Sequence, residues 1–135
     1  MIDERRCRHS QQQYQRLVNS VDAIVWQGEL RGAEFQFTFV SPQAEQILGY
    51  PIDRWHESNF WSAHLHPDDF DRAIAYCTSC FEAHLDHVHE YRMRAADGRF
   101  VWIEDKTKFI VENNQIQQII GLFTNISDRK QAELC

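Results

Sequence analysis

Apolar positions change their period several times along the chain, and each change predicts an element. Residues 9–21, HSQQQYQRLVNSV, place Tyr14, Leu17, Val18 and Val21 at i, i+3, i+4 and i+7, one stripe of a short amphipathic helix. The polar residues before it predict a flexible lead-in over 1–11. Two β-rich runs follow, AIVWQGEL (23–30) and EFQFTFV (34–40), parted by Arg31, Gly32 and Ala33. In the second, Phe35, Phe37 and Phe39 alternate with Gln36 and Thr38, as in a half-buried strand of a hairpin. Ser41 and Pro42 then suit the cap and first position of a helix that Gly49 closes behind Ile47 and Leu48.

Between Pro51 and His66 the pattern is irregular, and Trp55, Phe60, Trp61 and Leu65 predict short helical turns pressed onto a core. HPDDFDRAIAYCTSCFEA predicts a longer helix, with Asp68 and Asp69 in its first turn and Phe70, Ile74, Cys77 and Phe81 along one stripe. After it the period becomes two. HVHEYRMRA and RFVWIEDKTKFIV flank Asp97-Gly98, a type I′ hairpin signal, and Asn113-Asn114 leads into IQQIIGLFTNI. At the end, NISDRKQAELC offers Ser127 as an N-cap and Asp128 in a first turn, so a helix begins there. The order ββ, α, βββ predicts an α+β fold: one five-stranded antiparallel sheet with helices packed on one face.

Composition narrows the picture. At 135 residues, 43% of them apolar, the chain suits one domain with one core. No apolar run approaches the roughly 18 residues of a membrane span, and no basic start precedes an apolar stretch as in an export signal. A net charge of -6 disfavours a nucleic-acid surface. Cys7, Cys77, Cys80 and Cys135 form no disulfide framework and read as reduced thiols in a cytoplasmic setting.

Candidate chemistry is sparse. The HPDD stretch sets an imidazole beside two carboxylates, but Pro67 and the two acids suit a helix start. His87 and His89 share one strand face with Tyr91 and Met93, and that face should look inward because Glu90, Arg92 and Arg94 occupy the other. His-X-His is a metal-ligand spacing, and His84 lies just upstream. Lacking a demonstrable third ligand, these histidines read as half-buried residues near a sheet edge, and no metal is expected. Cys77-Thr78-Ser79-Cys80 lies within a helix with no basic neighbour, unlike a redox site. With no phosphate-binding glycine loop, nucleophile elbow or HExxH motif, the chain does not read as an enzyme.

Taken in order, FVSPQAEQILGYP (39–51), HPDD (66–69), EYRMRAADGRFVWIED (90–105), Gly121 and NISDRK (125–130) resemble a PAS domain of the fold-3 type, a sensory module of bacterial signalling proteins. The resemblance implies a domain over 12–126 and the start of a signalling helix over 127–135, carried by a longer protein such as a histidine kinase or a diguanylate cyclase. It implies a homodimer built through the 14–21 stripe, a covalently linked downstream effector domain, and signal output through Asn125, Ile126, Ser127, Asp128, Arg129 and Lys130. The family usually ends its last strand in Asp-Ile-Thr. Asn125-Ile126-Ser127 stands there instead, which removes a carboxylate while keeping hydrogen-bonding groups.

The resemblance also implies a small-molecule pocket. Candidate lining residues are Ile24 and Trp26, Phe37 and Phe39, Ile47 and Leu48, Phe60, Phe81, Tyr91, Trp102 and Leu122. An ordinary packed core would use the same residues. Haem is an alternative occupant, with His84 the nearest axial ligand. Flavin chemistry of the light-oxygen-voltage type is not expected, because residues 51–66 contain no cysteine. An empty protein-interaction spacer is the remaining alternative.

Overall fold

The β-rich and period-two segments become five strands: β1 Ala23–Arg31, β2 Glu34–Val40, β3 His87–Arg94, β4 Phe100–Glu112 and β5 Gln115–Asn125. All neighbours are antiparallel, in the order β2-β1-β5-β4-β3, so the last strand lies at the centre. The computed structural model describes residues 22–31 and 34–134. The expected helix bearing Tyr14, Leu17, Val18 and Val21 falls outside the described residues, as do Cys7 and Cys135.

Four helices separate β2 from β3: α1 Gln43–Ile47, α2 Ile52–Trp55, α3 Phe60–Ala63 and α4 Pro67–Glu82. Their buried side chains Ala44, Trp55, Phe60 and Ala73 join Ile24, Trp26, Phe37, Tyr91, Ile103 and Phe123 of the sheet in one core. Phe37 is central to it, with ring centroids 5.4 Å from Trp26 and 5.3 Å from Trp55. A fifth helix, α5 Ser127–Leu134, follows the last strand.

Strand parity decides what faces this core. Trp26 pairs with Val40 and Gln27 with Phe39, but Gly28 pairs with Phe37, leaving Thr38 as a bulge. The extra residue reverses the alternation. Phe37 is therefore 1% exposed while Phe39 is 48% exposed, which removes Phe39 from the expected pocket lining. On β4 the buried positions are Val101, Ile103, Asp105, Thr107 and Phe109, and on β5 Ile119 and Phe123. Trp102 and Leu122 fall on the intervening positions and so lie on the outer face, contrary to the expectation that they line the interior.

The turn chemistry differs from the expectation in one exchange. Asn113 and Asn114 have φ of 53° and 60°, the type I′ pattern, between the paired Glu112 and Gln115. At the other hairpin Gly98 alone is left-handed, φ 91°, and its N–H donates to Ala95 O at 3.0 Å. That is a type I turn over Ala96-Asp97 followed by a glycine bulge, so Asp97-Gly98 is not a type I′ pair. The hydroxyl of Ser41 does not cap α1. It accepts from Val25 N–H at 2.9 Å and binds the end of β2 to β1.

The start of α4 matches its sequence signature: His66 Nδ1 accepts from Asp68 N–H at 3.0 Å, and Pro67 is the first helical residue. Asp69, 5% exposed, then clamps the helix to β3. Its carboxylate accepts from Arg92 N, Nε and Nη2, each at 2.9 Å. The bonded guanidinium holds the Asp69 carboxyl at about 2, below its ordinary 3.8.

Two tests follow from this packing. A Cβ on Gly121 would lie 2.1 Å from Trp26 Cζ2 and 2.8 Å from Lys106 O, so Gly121→Ala should destabilise the fold by about 1–3 kcal/mol. Urea unfolding should show a lower midpoint at unchanged slope; an unchanged midpoint would refute the close approach. Because the Asp69 pKa is depressed in the folded state, its stabilisation is complete above its unfolded value and is lost as pH falls through about 2. The clamp should contribute about 2 kcal/mol near neutrality. Stability curves of wild type and Asp69→Asn should therefore converge between about pH 5 and pH 2, and curves that stay parallel would contradict the clamp.

Candidate functional site

Between the inner sheet face and α4 lies a cavity of about 570 Å³, within the roughly 300–1,000 Å³ range of small-molecule pockets. The sheet contributes Trp26, Phe35, Phe37, Phe109, Ile119 and Phe123, and α4 contributes Ile74, Cys77 and Phe81. The helix spacing explains the second set. Asp69 anchors the first turn, Ala73 is buried one turn later, and Cys77 arrives a turn beyond, above β3. Phe70, expected on the same stripe, is 40% exposed.

One wall of this apolar cavity is polar. Cys77 Sγ lies 3.7 Å from His87 Nε2 and 3.5 Å from His89 Nε2. His89 Nε2 lies 3.2 Å from Asp105 Oδ2. The same carboxylate oxygen accepts from Tyr91 OH at 2.7 Å, while Oδ1 accepts from Thr107 Oγ1 at 2.7 Å. Tyr91 OH in turn accepts from Trp61 Nε1 at 2.8 Å. Sheet register assembles the group: β3 turns His87, His89 and Tyr91 inward, and β4 sets Asp105 opposite His89 and Thr107 opposite His87.

Burial sets the charge states. It pushes the Cys77 thiol well above its ordinary range, helped by the nearby Asp105 carboxylate, so the thiol is protonated and a poor nucleophile. It pushes His87 downward, keeping that imidazole neutral with its nitrogens available as donor or ligand. Tyr91 is held neutral for the same reason and serves as a donor to Asp105. One donor atom from each of Cys77, His87, His89 and Asp105 lies within 4.8 Å of the others. Chemically the group can hold a cation or bond a polar ligand head; it is not arranged as an activated nucleophile with a base.

The third and fourth members of this cluster come from outside the His-X-His motif. Asp105 had a signal in the sequence: a carboxylate at an inward parity between Ile103 and Thr107. Cys77 had only its helical stripe. His84 does not join them; it stands exposed just past α4 with φ 54° and does not border the cavity. Of the other expected lining residues, Trp26, Phe37 and Phe81 border the cavity. Ile24, Leu48, Phe60 and Tyr91 are buried in the surrounding core, and Ile47 packs against it half-buried.

The other face of β3 and β4 carries the chain's exit. Ile126 N–H donates to Trp102 O at 2.9 Å, and Ser127 Oγ accepts from Trp102 N–H at 3.1 Å. Ser127 is thus spent on the sheet, and Asn125 Oδ1 accepts the Ser127 N–H at 3.0 Å, taking the capping role expected of Ser127. Glu90 accepts from Lys130 Nζ at 2.7 Å and from Arg129 Nη2 at 2.5 Å, and the two cations hold its carboxyl below the ordinary range. Lys130 Nζ also sits 4.9 Å from the centre of the Trp102 ring. Asn125 brings no carboxylate to this junction; the one that meets Arg129 and Lys130 is Glu90 of β3, beyond β4 from Asn125.

A family model described as PAS fold (PAS_3) matches residues 37–123. A comparison with curated proteins finds no match. Among solved structures, the N-terminal domain of a diguanylate cyclase with PAS/PAC sensor from Marinobacter aquaeolei is 28% identical, with TM-score 0.73 over 80% of this chain and 98% of that one. A sensory box histidine kinase/response regulator from Burkholderia thailandensis is 24% identical, with TM-score 0.70 over 90% of this chain and 89% of that one. The PAS domain of a protein from Colwellia psychrerythraea shares the fold at 21% identity and TM-score 0.68, over 89% and 99%. With the family match spanning most of the sheet, the helices over its inner face and the cavity between them, this chain belongs to the PAS fold family.

Proposed function

We propose that this chain is a sensory module of a larger signal-transduction protein, in which occupancy of the inner cavity is passed through β3 and β4 to α5 and on to a covalently linked effector. The observation that carries the reading is the alternation of β3: His89 and Tyr91 face inward and bond to Asp105, which borders the cavity, and Glu90 between them holds Arg129 and Lys130 of the last helix. A ligand that shifts the inner residues has to move the residue between them, because one backbone carries both faces. Coupling of about 1–3 kcal/mol would change an output equilibrium some 5- to 150-fold, so a small displacement is enough.

The likeness to sensor domains of a diguanylate cyclase and of a histidine kinase supports an effector of that kind. The apolar stripe at Tyr14, Leu17, Val18 and Val21 supports pairing with a second copy, and the burial that keeps the Cys77 thiol protonated supports a binding rather than a catalytic role. Among the described residues no helix is long and apolar enough to cross a membrane. A cytoplasmic setting is part of the same proposal and rests on the reduced cysteines Cys77 and Cys80.

Coupling can be read on the chain itself by hydrogen exchange of residues 127–134. Glu90→Gln should speed exchange there about 2- to 10-fold by releasing two partly exposed ion pairs. Ile74→Trp and Thr78→Trp, which place bulk in the cavity from α4, should each change exchange in both β3 and α5. If both folded variants leave residues 127–134 unaffected, the cavity is not coupled to the exit and the proposal fails.

A further inference from the structure

We propose that Cys77, His87, His89 and Asp105 form a binding site for a divalent transition-metal ion of the zinc class, set in the inner wall of the sheet. The inference concerns these four side chains alone and holds whether or not the module signals. Their donor set is one sulfur, two imidazole nitrogens and one carboxylate oxygen, a combination that suits borderline-soft ions and excludes calcium and magnesium, which take oxygen ligands.

Distance supports the assignment. Metal–sulfur and metal–nitrogen bonds of about 2.3 and 2.0 Å at tetrahedral angles separate the ligand atoms by about 3.3–3.6 Å. The three observed separations of 3.7, 3.5 and 3.2 Å are edges of such a tetrahedron. No pair is more than 4.8 Å apart, so closing the remaining edges takes side-chain rotation and no movement of the sheet.

Charge supports it as well. The Asp105 side chain is 4% exposed, and among the described residues its sole ion-pair partner is His89. A carboxylate so placed lacks a full counter-charge and is costly to bury. Coordination would release the Cys77 proton to solvent, and a doubly charged ion would then balance one thiolate and one carboxylate beside two neutral imidazoles. The outer contacts are those that orient metal ligands: Tyr91 OH and Thr107 Oγ1 each donate to Asp105, and His87 Nδ1 faces Leu85 O at 3.4 Å, leaving Nε2 directed at the thiol. Cys77, His87 and Asp105 border the cavity, which supplies an entry path.

The test is a cobalt(II) titration of the full chain after removal of bound metal with a chelator, followed by displacement with zinc(II). One equivalent should produce a thiolate-to-cobalt charge-transfer band and visible bands of tetrahedral cobalt, and zinc should abolish them. Cys77→Ser should remove the charge-transfer band, and Cys77→Ser and His89→Gln should each weaken affinity at least about 100-fold, more than loss of an outer contact costs. Tyr91→Phe, which keeps all four ligands, should weaken it about 10- to 100-fold. Cys80→Ser and His84→Gln should bind as wild type does. A wild-type chain without the band at stoichiometric cobalt overturns the proposal, as does a band that persists in Cys77→Ser.

Discussion

A single strand, β3, serves two environments with alternating residues, and the rest of the molecule depends on that alternation. His87, His89, Tyr91 and Met93 face inward, and Val88, Glu90 and Arg92 between them meet solvent, the exit helix or α4. Because consecutive side chains of a strand leave opposite faces, His89 of the inner polar group and Glu90 of the α5 contact are adjacent residues.

The position of α4 follows from the same strand. Arg92 reaches back to Asp69 with three bonds, one from its backbone, which sets both the height and the register of the helix over the sheet. Two helical turns from that clamp bring Cys77 to the imidazoles of β3. A bidentate guanidinium–carboxylate pair is directional in a way that apolar packing is not, so the clamp is suited to holding a cavity open beneath it. Around that cavity the aromatic rings of Trp26, Phe35, Phe37 and Phe123 brace one another edge to face.

At the junction of β5 and α5 the expected roles of cap and charge fall to residues other than those of the usual triplet. Asn125 retains the hydrogen bond to Ser127 N–H, and the ionic component resides on Glu90, which faces both cations of the first helical turn. The Trp102 ring lies beneath Lys130 and completes the contact. Charge comes from β3 and cap from β5, two strands that β4 separates in the sheet.

Much of this was legible in the residues. A β-rich run marked β1, alternation marked β2 to β5, the His66-Pro67 start marked α4, and the motif order marked the family. Those signals are local: they depend on neighbours within a turn or a strand. What local pattern could not supply is parity after an interruption. The Thr38 bulge turned Phe39 outward, whereas the outward place of Trp102 follows from the same alternation that turns Ile103 and Asp105 inward. Nor could it say which partner a hydroxyl takes, so Ser41 and Ser127 bond to strands β1 and β4 where caps were expected. The Cys77–His87–His89–Asp105 group is the clearest case. The sequence by itself determined the strand that carries two histidines to one face. Only the tertiary structure decided that a thiol from α4 and a carboxylate from β4 meet them, because that depends on sheet register and helix height, which are set by contacts far apart in the chain.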